Sequence, residues 1–134
     1  MTIILGLEPS LTAAAAVAVP LDWNGEWKRV RSVGVGERLR RDATRIERAR
    51  RTETIAARLV AFAQSAGASV ASVESYGHAM RTSAHTLGEV GDVVRLELVR
   101  PGINVRTANM GTAGKLLLGK LPRSDARMAP RARR

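Results

Sequence analysis

Two glutamates far apart in the chain, Glu8 and Glu74, each close a short apolar run. Ile3, Ile4, Leu5 and Leu7 precede the first, and Ala68-Ser69-Val70-Ala71-Ser72-Val73 precedes the second. The unbroken Ile3–Leu5 stretch reads as a central strand buried on both faces, because such strands show continuous apolar runs rather than alternation. Pro9 cannot donate a ladder hydrogen bond, so the first strand stops at its carboxylate. If the two strands are parallel neighbours, both acids lie at one edge of one sheet. That edge is where open α/β sheets hold ligands, which makes Glu8 and Glu74 the candidate site.

The rest of the chain must supply the elements that hold these acids. Ala13 to Pro20 follows the Pro9-Ser10 turn and fits a strand hairpinned to the first, although alanine alone favours helix. Asp22, Asn24 and Gly25 are turn chemistry. Trp27 to Val35 mixes apolar and basic residues in rough alternation, as in a strand with one solvated face. Three strands in a meander are therefore expected in the first third.

From about Asp42 to Ala66 the period becomes helical, with Thr52, Ile55, Ala56, Leu59, Phe62 and Ala63 on one face. Arg45 and Arg48 extend that face, so the helix is expected to overhang the sheet at its N-terminal end. Arg38, Arg40, Arg41, Arg50 and Arg51 enlarge the basic cluster, which as a group suits phosphate contacts. Gly67 ends the helix. Strand, long helix, strand is a crossover unit, and such units give parallel neighbours.

A second helix is expected after an N-cap at Ser83, carrying Leu87, Val90, Val94 and Leu98 on one face. Gly88 and Gly91 leave room for another element to approach, and Pro101-Gly102 stops the helix. Asn104 to Ala108 is a weak fifth strand, and Thr112 to Leu118 a short third helix. This gives one domain over 1–120 and a basic disordered tail over 121–134.

Composition narrows the function. A chain of 134 residues makes one domain, and its net charge of +10 points to a polyanion, nucleic acid first. The bland alternative is a ribosomal-type or merely arginine-rich protein from a high-Arg, high-Ala proteome. No stretch approaches the roughly 18 apolar residues of a membrane span. No basic region precedes the N-terminal apolar run, so no signal peptide is expected. Without cysteine there are no disulfides or thiolate metal sites, which suits a cytosolic protein.

The order β-β-β-α-β-α-β-α, with acids closing the first and fourth strands, resembles the ribonuclease H-like fold. That fold is α/β: a mixed sheet of a three-strand antiparallel meander plus parallel strands, with flanking helices. Within it the residues resemble the RuvC family of Holliday junction resolvases, closest to its short phage-type members. The matching pieces are I-I-L-G-L-E-P-S-L-T at 3–12, R-I-E-R-A-R-R-T at 45–52 and V-E-S-Y-G at 73–77. Two more are G-E-V-G-D-V-V-R-L-E-L at 88–98 and G-K-L-L-L-G-K at 114–120.

The resemblance implies a homodimeric, Mg²⁺-dependent endonuclease of the bacterial cytoplasm that nicks four-way DNA junctions symmetrically, with Mn²⁺ as a second candidate metal. In such chemistry two divalent cations about 3.5–4 Å apart activate a water and stabilise the leaving oxygen. Mg²⁺ takes hard oxygen ligands, so clustered carboxylates are the residue type required. By resemblance Glu74 matches the fourth-strand acid and Glu8 the first-strand acid, both as catalytic and metal-holding residues. Lys115 matches a family lysine near the scissile phosphate, and Tyr76 lies one position from a stacking aromatic. Arg45, Arg48 and Lys120 complete the DNA-binding candidates.

Two departures temper what is implied. The family has Asp at the position of Glu8, and the extra methylene moves the carboxylate by about 1.5 Å. Misplacements near 1 Å can cost roughly a hundredfold in rate. The family's two further aspartates, on a final helix, have no D-x-x-D counterpart; Asp125 is the sole carboxylate beyond Lys120. The expectation is a C-terminally truncated resolvase-like chain with reduced or lost activity, or an altered metal preference. The alternative is a basic module that grips branched DNA without cutting it; a third reading is a non-specific nucleic-acid protein. His78 and His85 lack ligands at metal spacing and suit surface or capping roles. Trp23 and Trp27 flank a turn and suit packing.

Overall fold

The computed structural model describes residues 1–10, 12–36, 38–75 and 84–108, with the side chains of 84–87 outside the described set. Its elements are β1 (Ile3–Glu8), β2 (Ala14–Pro20), β3 (Arg31–Val35), α1 (Arg45–Ser65), β4 (Ala68–Glu74), α2 (Ala84–Val99) and β5 (Asn104–Ala108). The strands form one sheet in the order β3-β2-β1-β4-β5. β1–β2 and β2–β3 pair antiparallel, while β1–β4 and β4–β5 pair parallel. This is the mixed sheet expected from the sequence, with β1 at its centre.

The crossovers β3–α1–β4 and β4–α2–β5 advance the same way across the sheet. Such connections are right-handed, so α1 and α2 fall on the same face. There Leu5 and Leu7 of β1, Ala16 and Ala18 of β2, and Ala71 and Val73 of β4 are buried beneath Ile55, Leu59 and Ala63 of α1 and Val94 and Leu98 of α2. With so few aromatics, small side chains let the helices sit close to the sheet.

β1 departs from expectation. It is not buried on both faces: Leu5 and Leu7 are buried, whereas Gly6 and Glu8 are exposed and Ile4 is half-buried. Among the described residues both helices cover one face, so a run that is apolar in sequence becomes alternating in exposure.

α1 begins at Arg45 because Thr44 caps it. The Thr44 Oγ1 accepts from the Glu47 main-chain N–H at 3.2 Å, and the Glu47 carboxylate accepts from the Thr44 N–H at 2.7 Å, a reciprocal capping box. Its apolar stripe is buried at Ile55, Ala56, Leu59 and Ala63, while Arg45 and Arg48 are exposed about two to three turns earlier. Gly67 terminates it at φ +68°, a backbone conformation that favours glycine.

Three further differences are local. Trp27–Arg29 is a 3-10 turn, and the strand starts only at Arg31. β2 stops at Pro20 and its ladder with β3 runs no further than Ala18↔Arg31, so Trp27 has no strand to pair with. Instead the Trp23 indole N–H donates to the Glu26 carbonyl at 3.0 Å and the two tryptophan rings meet edge-on at 5.0 Å, with Trp27 exposed. On α2, among the described residues nothing lies within 4 Å of a Cβ added at Gly88, and the group nearest one added at Gly91 is Arg95 of the same helix. The Ser83 cap, the Leu87 side chain, the 112–118 helix and the 121–134 tail lie outside the described residues. Among the described residues no helix is long and apolar enough to cross a membrane.

Candidate functional site

Parallel pairing brings the two acids side by side. Leu7 pairs with Val73 in the β1–β4 ladder, so Glu8 and Glu74 occupy the next position on adjacent strands. Neighbouring strands lie about 4.8 Å apart, and residues in parallel register share a face. Both carboxylates therefore stand at the C-terminal edge, on the face opposite the helices. In the same row Glu8 opposes Ala15 of β2, and Glu74 opposes Ala108 of β5. Two acids flanked by two methyl groups leave space above the sheet edge.

The row beneath is equally open. Gly6 lies beside Val17 on one side and Ser72 on the other, and Ser72 pairs with Arg106. Gly6 gives the floor no side chain, and Arg106 is an exposed cation diagonal to Glu74.

Local contacts hold this edge. Pro9 is buried, and the Ser10 hydroxyl accepts from the N–H groups of Thr12 and Ala13 at 3.4 Å, turning the chain from β1 into β2. The Ser75 N–H donates to the Ala108 carbonyl at 2.7 Å, extending the β4–β5 ladder past Glu74.

Arg95 is the site residue that sequence reasoning missed. Its Nη2 donates to the Glu74 main-chain carbonyl at 3.1 Å, while Nη1 meets Asp92 Oδ1 at 2.9 Å. The guanidinium lies over Gly91, where an added Cβ would come within 3.0 Å of Nη1. Arg95 thus ties α2 to the end of β4, directly at the acid. The signal available in sequence was a helix-interior glycine one turn before an arginine, which is too common to single out. Arg106 was missed as well, since only the register places it beside Ser72.

Of the DNA-binding candidates, Arg45 and Arg48 are exposed on the first turns of α1. α1 and α2 each enter from the edge at which β3 and β4 end, so their N-termini stand at the same end of the molecule as Glu8 and Glu74. Tyr76, Lys115 and Lys120 lie outside the described residues, as do His78, Asp125 and the His85 side chain.

The donor set suits a hard divalent cation. Mg²⁺ keeps several waters and is commonly held by one or two carboxylates plus substrate phosphates; two adjacent glutamates can supply the carboxylates. Among the described residues no group of three or more Asp, Glu, His or Cys side chains assembles. The pair therefore fits one hydrated cation.

The sheet order, with acids at the C-terminal edge of two central parallel strands, defines a ribonuclease H-like domain. Two solved structures share that fold: T. thermophilus RuvC in complex with Holliday junction substrate, at TM-score 0.66 and 14% identity over 88% of this chain and 71% of that one, and a Thermus thermophilus RuvC structure, at 0.63 and 18% over 88% and 70%. The sequence matches no protein-family model and no curated protein. The likeness to RuvC is thus a likeness of fold.

Proposed function

We propose that this chain is a RuvC-like Holliday junction resolvase, a metal-dependent endonuclease that nicks branched DNA. The observation that carries the reading is the adjacency of Glu8 and Glu74 on a RuvC-like fold. The high positive charge adds affinity for a polyanion. A divalent cation, Mg²⁺ or Mn²⁺, would be held by Glu8 and Glu74 and would supply charge stabilisation at the phosphate and an acidified water. Glu74 is the more constrained ligand, half-buried and tied through its carbonyl to Arg95; Glu8 is exposed. Arg106 is placed to meet a phosphate oxygen on the same face. Symmetric nicking of a four-way junction calls for two such edges, and hence a homodimer.

A second reading is a basic module that grips branched DNA without cutting it. It is favoured by the presence of only two acids at the edge among the described residues, since a two-cation centre needs more negative ligands. The readings separate on one gel: labelled four-way junction and matched duplex, incubated with Mg²⁺, Mn²⁺ or EDTA. The resolvase reading expects metal-dependent nicks in the junction that disappear in Glu74→Gln. Junction binding with no nick under either metal selects the second reading, and equal binding of junction and duplex without nicks refutes both.

A further inference from the structure

α1 and α2 pack against each other and leave a gap. Between them lies a cleft of about 570 Å³, lined by Arg45, Arg48, Ala49, Arg51 and Thr52 of α1 and by Glu89 and Val90 of α2. Among the described residues three arginines and one glutamate thus line it. Among the described residues elsewhere, Arg29, Arg40, Arg95 and Arg100 pair with Asp22, Asp42, Asp92 and Glu97, while exposed arginines such as Arg58 and Arg106 do not. No such partner lies within ion-pair distance of Arg45, Arg48 or Arg51 among the described residues.

Two details show how the cations are held. Arg48 Nε donates to the Ala43 carbonyl at 3.1 Å, which orients its fork. Arg51 Nε is out of reach of solvent and has no hydrogen-bond partner among the described residues. Three like charges around one concavity are unfavourable without an anion. A concave wall of low polarisability also concentrates the positive potential. Phosphate is the anion whose oxygens match planar guanidinium forks two at a time.

We infer that the cleft between α1 and α2 is a phosphate-binding site, with Arg51 as its inner wall and Arg45 and Arg48 at its mouth, and that it takes a backbone phosphate of a nucleic-acid strand. The phosphate chemistry stands on the cleft alone; the nucleic-acid source rests on the function proposed above. α1 and α2 begin at the end that carries Glu8 and Glu74, but the acids stand on the sheet face opposite the helices, so the phosphate bound here is a different one from the phosphate presented to the acids. The cleft would hold the strand at a second point.

The test uses the full chain in EDTA, so that binding is read without cleavage. Anisotropy of labelled four-way junction and duplex is followed across a salt series for wild type, Arg51→Met, the Arg45→Met/Arg48→Met pair and Arg58→Met, an exposed α1 arginine outside the cleft. Each cleft arginine lost should make the log K against log salt slope shallower by roughly 0.9, on junction and duplex alike. Arg58→Met should leave the slope within error. Arg51→Met should melt no lower than wild type, because methionine keeps the stem and removes an unpartnered donor. A slope unchanged in both cleft variants overturns the proposal, even if wild type nicks junctions normally. A parallel titration with pyrophosphate distinguishes the source: binding by wild type but not by Arg51→Met, with no DNA bound, keeps the phosphate site and overturns its nucleic-acid occupant. Neither ligand bound overturns both.

Discussion

Replacing Gly91 by alanine tests whether Arg95 really anchors the end of β4. In a free helix interior the change stabilises by about 0.8–1.0 kcal/mol, because alanine loses less backbone entropy. Here the new methyl would stand 3.0 Å from Arg95 Nη1 and 3.7 Å from Cζ, whereas comfortable contacts are about 3.5–4.0 Å. The guanidinium must shift by about half an ångström. It is held on both sides, at 2.9 Å by Asp92 and at 3.1 Å by the Glu74 carbonyl, so one bond lengthens past the useful range of about 3.2 Å. The Asp92 side chain is 80% exposed, and such a pair is worth about 0.2–1 kcal/mol. The charge-assisted bond to the carbonyl is worth about 1.5–3 kcal/mol. Gly91→Ala should therefore fall short of the helix gain by about 0.6 kcal/mol, the middle of the ion-pair range, if the Asp92 bond yields, and become destabilising if the carbonyl bond yields. In an Arg95→Met background nothing stands in the way, and the full gain of about 1 kcal/mol should return. Urea unfolding of the four proteins at constant m gives the coupling. Equal stabilisation in both backgrounds, within about 0.3 kcal/mol, would refute the anchoring of β4 by Arg95.

Further expectations can be measured on the same footing. Thr44→Ala should cost about 1 kcal/mol through loss of the cap, read by thermal melting. Glu47 is held below its ordinary value of 4.5 chiefly by the Thr44 main-chain N–H, then by the Thr44 hydroxyl, with Arg50 adding. A carboxylate lowered on folding stabilises above its unfolded pKa, and that contribution is lost as pH falls through the folded value. Wild type and Thr44→Ala should thus converge in stability as pH drops below about 4.5; a gap that widens on acidification would contradict the capping box. Leu59→Ala, at a fully buried position, should lose about 2.7–5 kcal/mol in urea unfolding, and a loss under 1 kcal/mol would place that side chain outside the core. Glu8→Asp should raise the rate of metal-dependent junction nicking by up to roughly a hundredfold, if the extra methylene is what displaces the carboxylate; an unchanged or lower rate counts against that role.

Much of this architecture is local chemistry and could be read along the chain. Pro9 stops β1 at Glu8, Gly67 ends α1 in a conformation suited to glycine, and Thr44 with Glu47 marks its start. The change of period after Asp42 distinguishes helix from strand, and the crossover makes β4 run parallel to β3 and hence to β1; that β4 settles beside β1, two strands away from β3, was decided by the sheet order. What was not legible depends on groups brought together from separate elements. The exposure of one side of β1 follows from both crossovers running the same way. The turn at Trp27 follows from where β2 ends, and the Arg95–Glu74 bond from how α2 settles against β4. The arginine cleft exists only because two helices separated by a whole strand pack side by side and leave a gap. Sequence by itself determined where each element stops and which residue stands there, because near neighbours decide that. Which of those residues face one another was left to sheet order and register, where each partner is supplied by a distant part of the chain.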